Sequence, residues 1–285
     1  MLHEILDLGF DCIELGHGIR ISLVPGIQEM FDEGRVRFTS LHNFCPLPVE
    51  VMMGSPDCYK LSADSPEERE RAVKQTFQTI DFAARLNAPF VVLHLGDVKM
   101  SPITDRLIEL AKTGRHLSRK YVRLKIGAVQ KRERIAPTYL QRVKDCLRRI
   151  ADHAASKNIS IALEGRRGYE EIPTERELPG LFDEIGCAQL GYWHDFGHLQ
   201  IKENLGFVDH AEWLRLIGPR AFGCHVQDCI WPVKDHEAPF TGNVNFEKLV
   251  PLLPRNCLFV WEMNPNKTAD VIRRSVQTWK ERFGE

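Results

Sequence analysis

The chain lacks the features that announce many familiar function classes. No apolar run approaches the roughly 20 residues that a membrane-spanning helix needs. The opening MLHEILDLGF has no basic segment followed by a small-residue cleavage site. No CxxC pair occurs among the eight cysteines, at 12, 45, 58, 146, 187, 224, 229 and 257, and most of them lie in apolar or mixed segments. These absences point to a cytoplasmic protein with reduced thiols and no membrane partner. Neither charge is in excess: 38 Lys and Arg against 39 Asp and Glu give a formal net charge of −1, so nothing global attracts nucleic acid. A Walker loop, a GxGxxG after a strand and a GxSxG elbow are also missing, which leaves nucleotide, dinucleotide and serine-hydrolase readings without support. There is no internal repeat and no low-complexity segment.

What is present is an alternation of short apolar runs and longer helical patterns. Strands are expected at 11–15, 37–42, 90–95, 159–163, 190–195, 222–228 and 257–262, each rich in β-branched or aromatic residues. Helices are expected at 65–87, 135–157, 174–186, 208–217, 245–254 and 267–282. The clearest opens with Ser65 as N-cap, Pro66 at the first helical position and acids in the first turn, then repeats apolar residues at 72, 77, 80, 83 and 86. Nearly continuous apolar strands between helices argue for a parallel sheet covered by helices. The expected fold is α/β, a (β/α)8 TIM barrel whose first strand is missing, because HEILDLGF reads as a helix running directly into DCIEL. One domain is expected over 1–285. The one shift in composition, the basic stretch RHLSRKYVRLKIGAVQKRER at 115–134, reads as an insertion ahead of the main helix.

Polar side chains gather at the carboxyl ends of these strands, the face that carries the active site in parallel α/β barrels. In order they are Glu14 and His17, His42 and Asn43, His94, Glu164, Asp195 and His198, His225 and Asp228, and Glu262 and Asn264. Four of them, Glu164, Asp195, His225 and Glu262, follow one another at gaps of about thirty to thirty-seven residues, roughly one strand–loop–helix unit. Two Glu, one Asp and one His on neighbouring strands make an oxygen-rich site for one divalent metal ion, and the His favours a transition metal over Ca2+. Mn2+, Mg2+, Co2+ and Zn2+ all fit.

The motifs IELG (13–16), VVLHLG (91–96), ALEGR (162–166), DFGH (195–198), HVQD (225–228), the Pro239/Gly242 loop and VWE (260–262) together resemble the xylose isomerase-like TIM barrels, a family of sugar isomerases, ketose 3-epimerases, inosose dehydratases and endonuclease IV-type repair enzymes. The resemblance covers the chain from residue 9 onward. It implies that Glu164, Asp195, His225 and Glu262 bind the metal and that His198 holds a substrate oxygen. Arg167, Tyr169 and Glu170 sit near the positions of a further Arg, aromatic and Glu of the epimerase-like members, with different residues between. The implied chemistry is isomerisation or epimerisation of a sugar, keto-sugar or cyclitol by proton transfer next to a carbonyl, with Glu164 and Glu262 as the acid–base pair. A lyase or dehydratase shares the first step. A homo-oligomer accords with the family's habit.

His42 and His94, read as substrate-binding in the first case, also match ligands of the endonuclease IV branch, a zinc phosphodiesterase acting on abasic DNA. Asp235-His236 is a partial match to that branch, its two residues adjacent rather than spaced by one. The overall charge disfavours a DNA partner. Trp193 and Trp231 flank the proposed site, where such rings stack on sugars or simply pack. Strand alternation turns His194 and Cys224 away from the site, which makes them structural. Arg166 and Arg167 either meet an anionic substrate group or pair with Glu170 or Glu171.

Overall fold

The chain opens on helix α1 (Leu2–Asp7) and not on a strand, so the parallel strands start late, at β1 (Cys12–Leu15). The computed structural model describes residues 2–284. After β1 come α2 (Val24–Asp32), β2 (Arg37–His42), α3 (Pro66–Arg85), β3 (Phe90–Leu93), α4 (Ile103–Lys112), α5 (Arg119–Ser156) and β4 (Ser160–Glu164). Then follow α6 (Leu178–Ile185), β5 (Leu190–Asp195), α7 (Phe196–Asn204), α8 (His210–Ile217), β6 (Ala221–Val226), the short β7 (Asp228–Ile230) and β8 (Lys234–Glu237), α9 (Phe246–Leu249), β9 (Leu258–Trp261) and α10 (Ala269–Phe283). Among the described residues, seven strands run parallel in chain order, matching the expected count without a strand ahead of Cys12.

Contacts divide the chain into two compact units, and β5 passes from one to the other. The first comprises the chain up to Asp97, Pro137–Glu164 and Arg176–Gly191. It holds β1 to β4 in parallel register, with Leu41 opposite Val91 and Val91 opposite Ile161. Leu15, Leu41, Val91, Val92, Leu93, Ile161 and Leu163 are almost fully buried. Helix α3 covers them with Val73, Ile80 and Ala83, and the second half of α5 adds Val143, Leu147 and Ile150. Ser65 caps α3 by accepting the Glu68 amide at 3.1 Å, as its position in the sequence requires.

The second unit comprises Val98–Ala136, Gly165–Glu175 and the chain from Tyr192. Here the end of β5 pairs with β6, and β6 with β9. Trp193, Phe196, Cys224, Val226 and Phe246 form its core. An antiparallel hairpin of β7 and β8 follows β6, an element the sequence reading did not anticipate. The basic stretch is likewise resolved differently: residues 119–134 are the opening turns of the 38-residue α5, and the helix runs on through Pro137 into the segment expected to start at 135. The helical period explains it, since Tyr121, Ala128, Arg132 and Ala136 are buried at spacings of seven, four and four.

Candidate active site

In the first unit, β4 ends at Glu164, whose carboxylate is 3% exposed as a residue. Two imidazoles from neighbouring strand ends converge on one of its oxygens. His42 Nε2 lies 2.9 Å and His94 Nε2 2.6 Å from Glu164 Oε2. The far ring nitrogens are engaged as well: His42 Nδ1 is 3.1 Å from the Asn43 carbonyl, and His94 Nδ1 is 3.4 Å from Asp57 Oδ2. A carbonyl can only accept, so His42 Nδ1 donates there, and in a neutral ring its Nε2 then presents a lone pair towards the carboxylate. Two imidazole nitrogens converging on one buried carboxylate oxygen, each ring steered by an acceptor on its other nitrogen, is the arrangement of metal-binding histidines. His42, His94 and Glu164 each offer a ligand atom within 4.8 Å of the others. His17 packs edge-on against His42 with ring centroids 5.4 Å apart. Its pKa is pushed down to about 4, by burial first and then by His42 and His94. Glu14 turns aside and accepts the Ser40 hydroxyl at 2.6 Å.

In the second unit, parallel pairing sets Asp195 at the end of β5 opposite His225 on β6. Asp195 is completely buried and caps α7, its Oδ1 accepting the His198 amide at 2.7 Å. Its Oδ2 accepts from Gln227 Nε2 at 2.8 Å and lies 3.4 Å from His198 Nδ1 and 3.5 Å from His225 Nδ1. His225 Nδ1 is also 3.2 Å from Glu262 Oε2, a residue presented just past β9. His198 reaches back to the Gly165 carbonyl at 3.2 Å. The partners of the Asp195 carboxylate are therefore an amide, a carboxamide and imidazoles, with no lysine or arginine among them. A buried charge without a strong cationic partner is costly. A divalent ion held by such carboxylate and imidazole donors would remove that cost, so the residues fit the group.

His236 stands beside Glu262 with Nε2 3.8 Å from Oε2, and its amide donates to Gln227 Oε1 at 2.5 Å. Burial alone would lower its pKa, but Asp235, Glu262 and Asp195 outweigh burial and raise it to about 9. Arg167 Nη1 faces Asp235 Oδ2 at 3.7 Å. Asp228 is closed off inside its own loop, accepting the amides of Cys229, Gly242 and Val244.

Several sequence expectations land elsewhere. Glu170, read as substrate-binding, spends both carboxylate oxygens on Thr104 at the start of α4, at 2.8 Å to the amide and 2.6 Å to the hydroxyl. Trp193, read as stacking on a sugar, is completely buried. Its ring lies over Gly223 and meets His225 at 5.4 Å between centroids, so it packs the strands and has no free face. Trp231 is the exposed one, at 44%. Arg166 pairs with Glu171. His194 is structural as expected, with Nδ1 3.1 Å from the Tyr192 hydroxyl and Nε2 3.0 Å from His210 Nε2. Gln227 and His236 were not singled out for this site. Gln227 had a readable signal: alternation puts it on the face of His225, and a carboxamide there has to bond something buried.

The sequence matches the xylose isomerase-like TIM barrel family over residues 2–282. The chain belongs to that family. No curated protein matches the sequence. Among solved structures, the fold is similar to a D-tagatose 3-epimerase-like protein, with 19% identity, TM-score 0.69 and coverage of 99% of this chain and 91% of that one. It is also similar to the 3-keto-D-glucoside 4-epimerase YcjR from E. coli, with 14% identity, TM-score 0.67 and coverage of 98% and 92%. An IOLI protein with a bound zinc atom gives 12% identity, TM-score 0.66 and coverage of 100% and 93%. At these identities the likeness establishes the family's barrel fold. Among the described residues no helix is long and apolar enough to cross a membrane.

Proposed function

We propose that this chain is a metal-dependent isomerase or epimerase of a sugar, keto-sugar or cyclitol, and that Glu164, Asp195, His225 and Glu262 hold one divalent ion. The observation that carries the reading is the buried Asp195 carboxylate, which meets the His198 amide, the Gln227 carboxamide and the imidazoles of His198 and His225 but no lysine or arginine, with Glu262 against the same His225 ring. The similarity to structures of sugar epimerases supports the substrate class. An ion bound there would supply positive charge to oppose the negative charge that develops when a proton leaves carbon next to a carbonyl. The protein's own part is to position and to move protons. Glu262 is the accessible carboxylate, with its side chain 32% exposed, and is suited to exchange a proton with a substrate carbon. Glu164 is buried between two imidazoles that can take up or return the proton it carries. His198, held against the Gly165 carbonyl, binds a substrate oxygen in this reading.

The test is solvent exchange. Incubation of ketohexoses or inososes with the metal-loaded protein in D2O should place deuterium on the carbon next to the carbonyl. Glu164→Gln and Glu262→Gln should each abolish that exchange. Unchanged exchange and metal content in both variants would sink the proposal.

A second reading is favoured by one observation, the cluster of His42, His94 and Glu164. Those three donors would accommodate a further ion, as a zinc phosphodiesterase acting on abasic DNA requires. Two or more zinc ions per chain, together with cleavage of an abasic duplex, would move the assignment to that chemistry.

A further inference from the structure

The basic stretch that the barrel chemistry leaves unused builds one wall of a cavity. Between α4 and the opening turns of α5, in the second unit, lies a cavity of about 520 Å³. Five cations line it: Arg106 from α4, and Arg119, Lys120, Arg123 and Lys131 from α5. No Asp or Glu lines it, and among the described residues none of the five side chains makes an ion pair or hydrogen bond. Elsewhere in the chain basic side chains are commonly paired, as Arg149 is with Glu70 and Arg142 with Asp64. The floor is apolar, formed by Met100, Ile103, Leu124 and Ala128.

The cavity walls are anchored. Glu170 ties down the first turn of α4 through Thr104. Tyr121 donates to the Leu205 carbonyl at 2.9 Å and Arg132 to the Glu171 carbonyl at 2.9 Å, which fixes the opposite face of α5. Packing of the two helices therefore sets five exposed like charges around one hollow, and an anion bound there would relieve their mutual repulsion. Guanidinium forks match phosphate and carboxylate oxygens, and an apolar floor suits a ligand with an apolar body. The volume falls in the ordinary range for small-molecule sites.

We infer that this cavity is a binding site for a small organic phosphate that carries an apolar group, separate from the strand-end site. The test uses octyl phosphate as probe, titrated calorimetrically into the metal-loaded full chain, with inorganic phosphate and a short DNA duplex in parallel and with vesicles containing an anionic lipid as a further arm. One saturable site is expected, at least tenfold tighter for octyl phosphate than for inorganic phosphate. Arg106→Ala and Arg123→Ala should each weaken it at least tenfold, with an unchanged far-ultraviolet circular dichroism spectrum, while Arg149→Ala should leave it alone. Absence of saturable binding to wild type, or equal affinity in the Arg106→Ala/Arg123→Ala double variant, would overturn the inference. Capture of the duplex or the vesicles in preference to free octyl phosphate, lost in the same double variant, would overturn it as well, by making this face a polyanion or membrane surface.

Discussion

Replacing Gln227 by Leu probes the candidate site without touching a proposed ligand. The side chain is completely buried and spans two groups: its Nε2 donates to Asp195 Oδ2 at 2.8 Å, and its Oε1 accepts the His236 amide at 2.5 Å. The first bond has a charged acceptor, for which removal costs about 1.5–3 kcal/mol, and the second leaves a buried amide unmet at about 1–3 kcal/mol. Leucine has nearly the same volume, so no large cavity forms, and its apolar burial returns part of the loss. The net expectation is a destabilisation of about 2–4 kcal/mol in metal-free protein, read from urea midpoints at constant slope. Metal affinity, read by competition with a chelator, should fall about 10- to 100-fold, the usual effect of losing a partner that orients a ligand.

Gln227→Glu separates the two contributions. It keeps an acceptor for the His236 amide but sets a carboxylate oxygen against Asp195, so the pair must share a proton. The folded state then binds a proton that the unfolded state releases, and stability rises as pH falls towards the shared pKa. A Gln227→Leu protein within about 1 kcal/mol of wild type and within twofold in metal affinity would refute the reasoning, since these bonds would then carry no net weight.

Three further outcomes follow from the same geometry. Lys202 is fully buried with its ammonium 2.6 Å from Glu175, which is 17% exposed, so Glu175→Leu should cost about 3–5 kcal/mol and Lys202→Met distinctly less, with the double variant close to Lys202→Met in thermal unfolding. His210 is buried and its pKa is pushed down to about 3 by loss of solvent, so below pH 6.5 the unfolded chain takes up a proton that the folded chain refuses. Stability should therefore fall as pH drops from 6.5 towards 3, and His210→Phe should remove from that slope about 0.7 kcal/mol per pH unit at pH 6.5, rising to about 1.4 near pH 5, in denaturant melts. A Cβ on Gly242 would meet Asp228 Oδ1 and the Cys229 carbonyl at 2.5 Å each, so Gly242→Ala should destabilise by about 1–3 kcal/mol in urea melts and open the loop that follows β8.

The parts of this molecule legible in the sequence are those that a period and a chain direction dictate. Seven parallel strands read as apolar runs, and their carboxyl ends could be located to within a residue or two, which is why Glu164, Asp195 and His225 lie at or beside strand ends as read from the sequence. Alternation also assigned His194 and Cys224 to the interior. What the sequence hid depends on who meets whom across the chain. Glu170 looked like a site residue until Thr104, 66 positions earlier, claimed both its oxygens. Trp193 looked like a sugar platform until Gly223 opened a slot that buries its ring. The basic stretch looked like an insertion because charge concealed its period, yet Tyr121, Ala128 and Arg132 seat it as helix and leave four cations, Arg119, Lys120, Arg123 and Lys131, on the other side of it. Each of these turns on a pairing between distant segments, which no local pattern encodes. Asp235-His236, a partial match by spacing because its residues are adjacent, turns on the same kind of pairing: the hairpin carries His236 to Glu262, a residue 26 positions on, and so makes it a neighbour of the site.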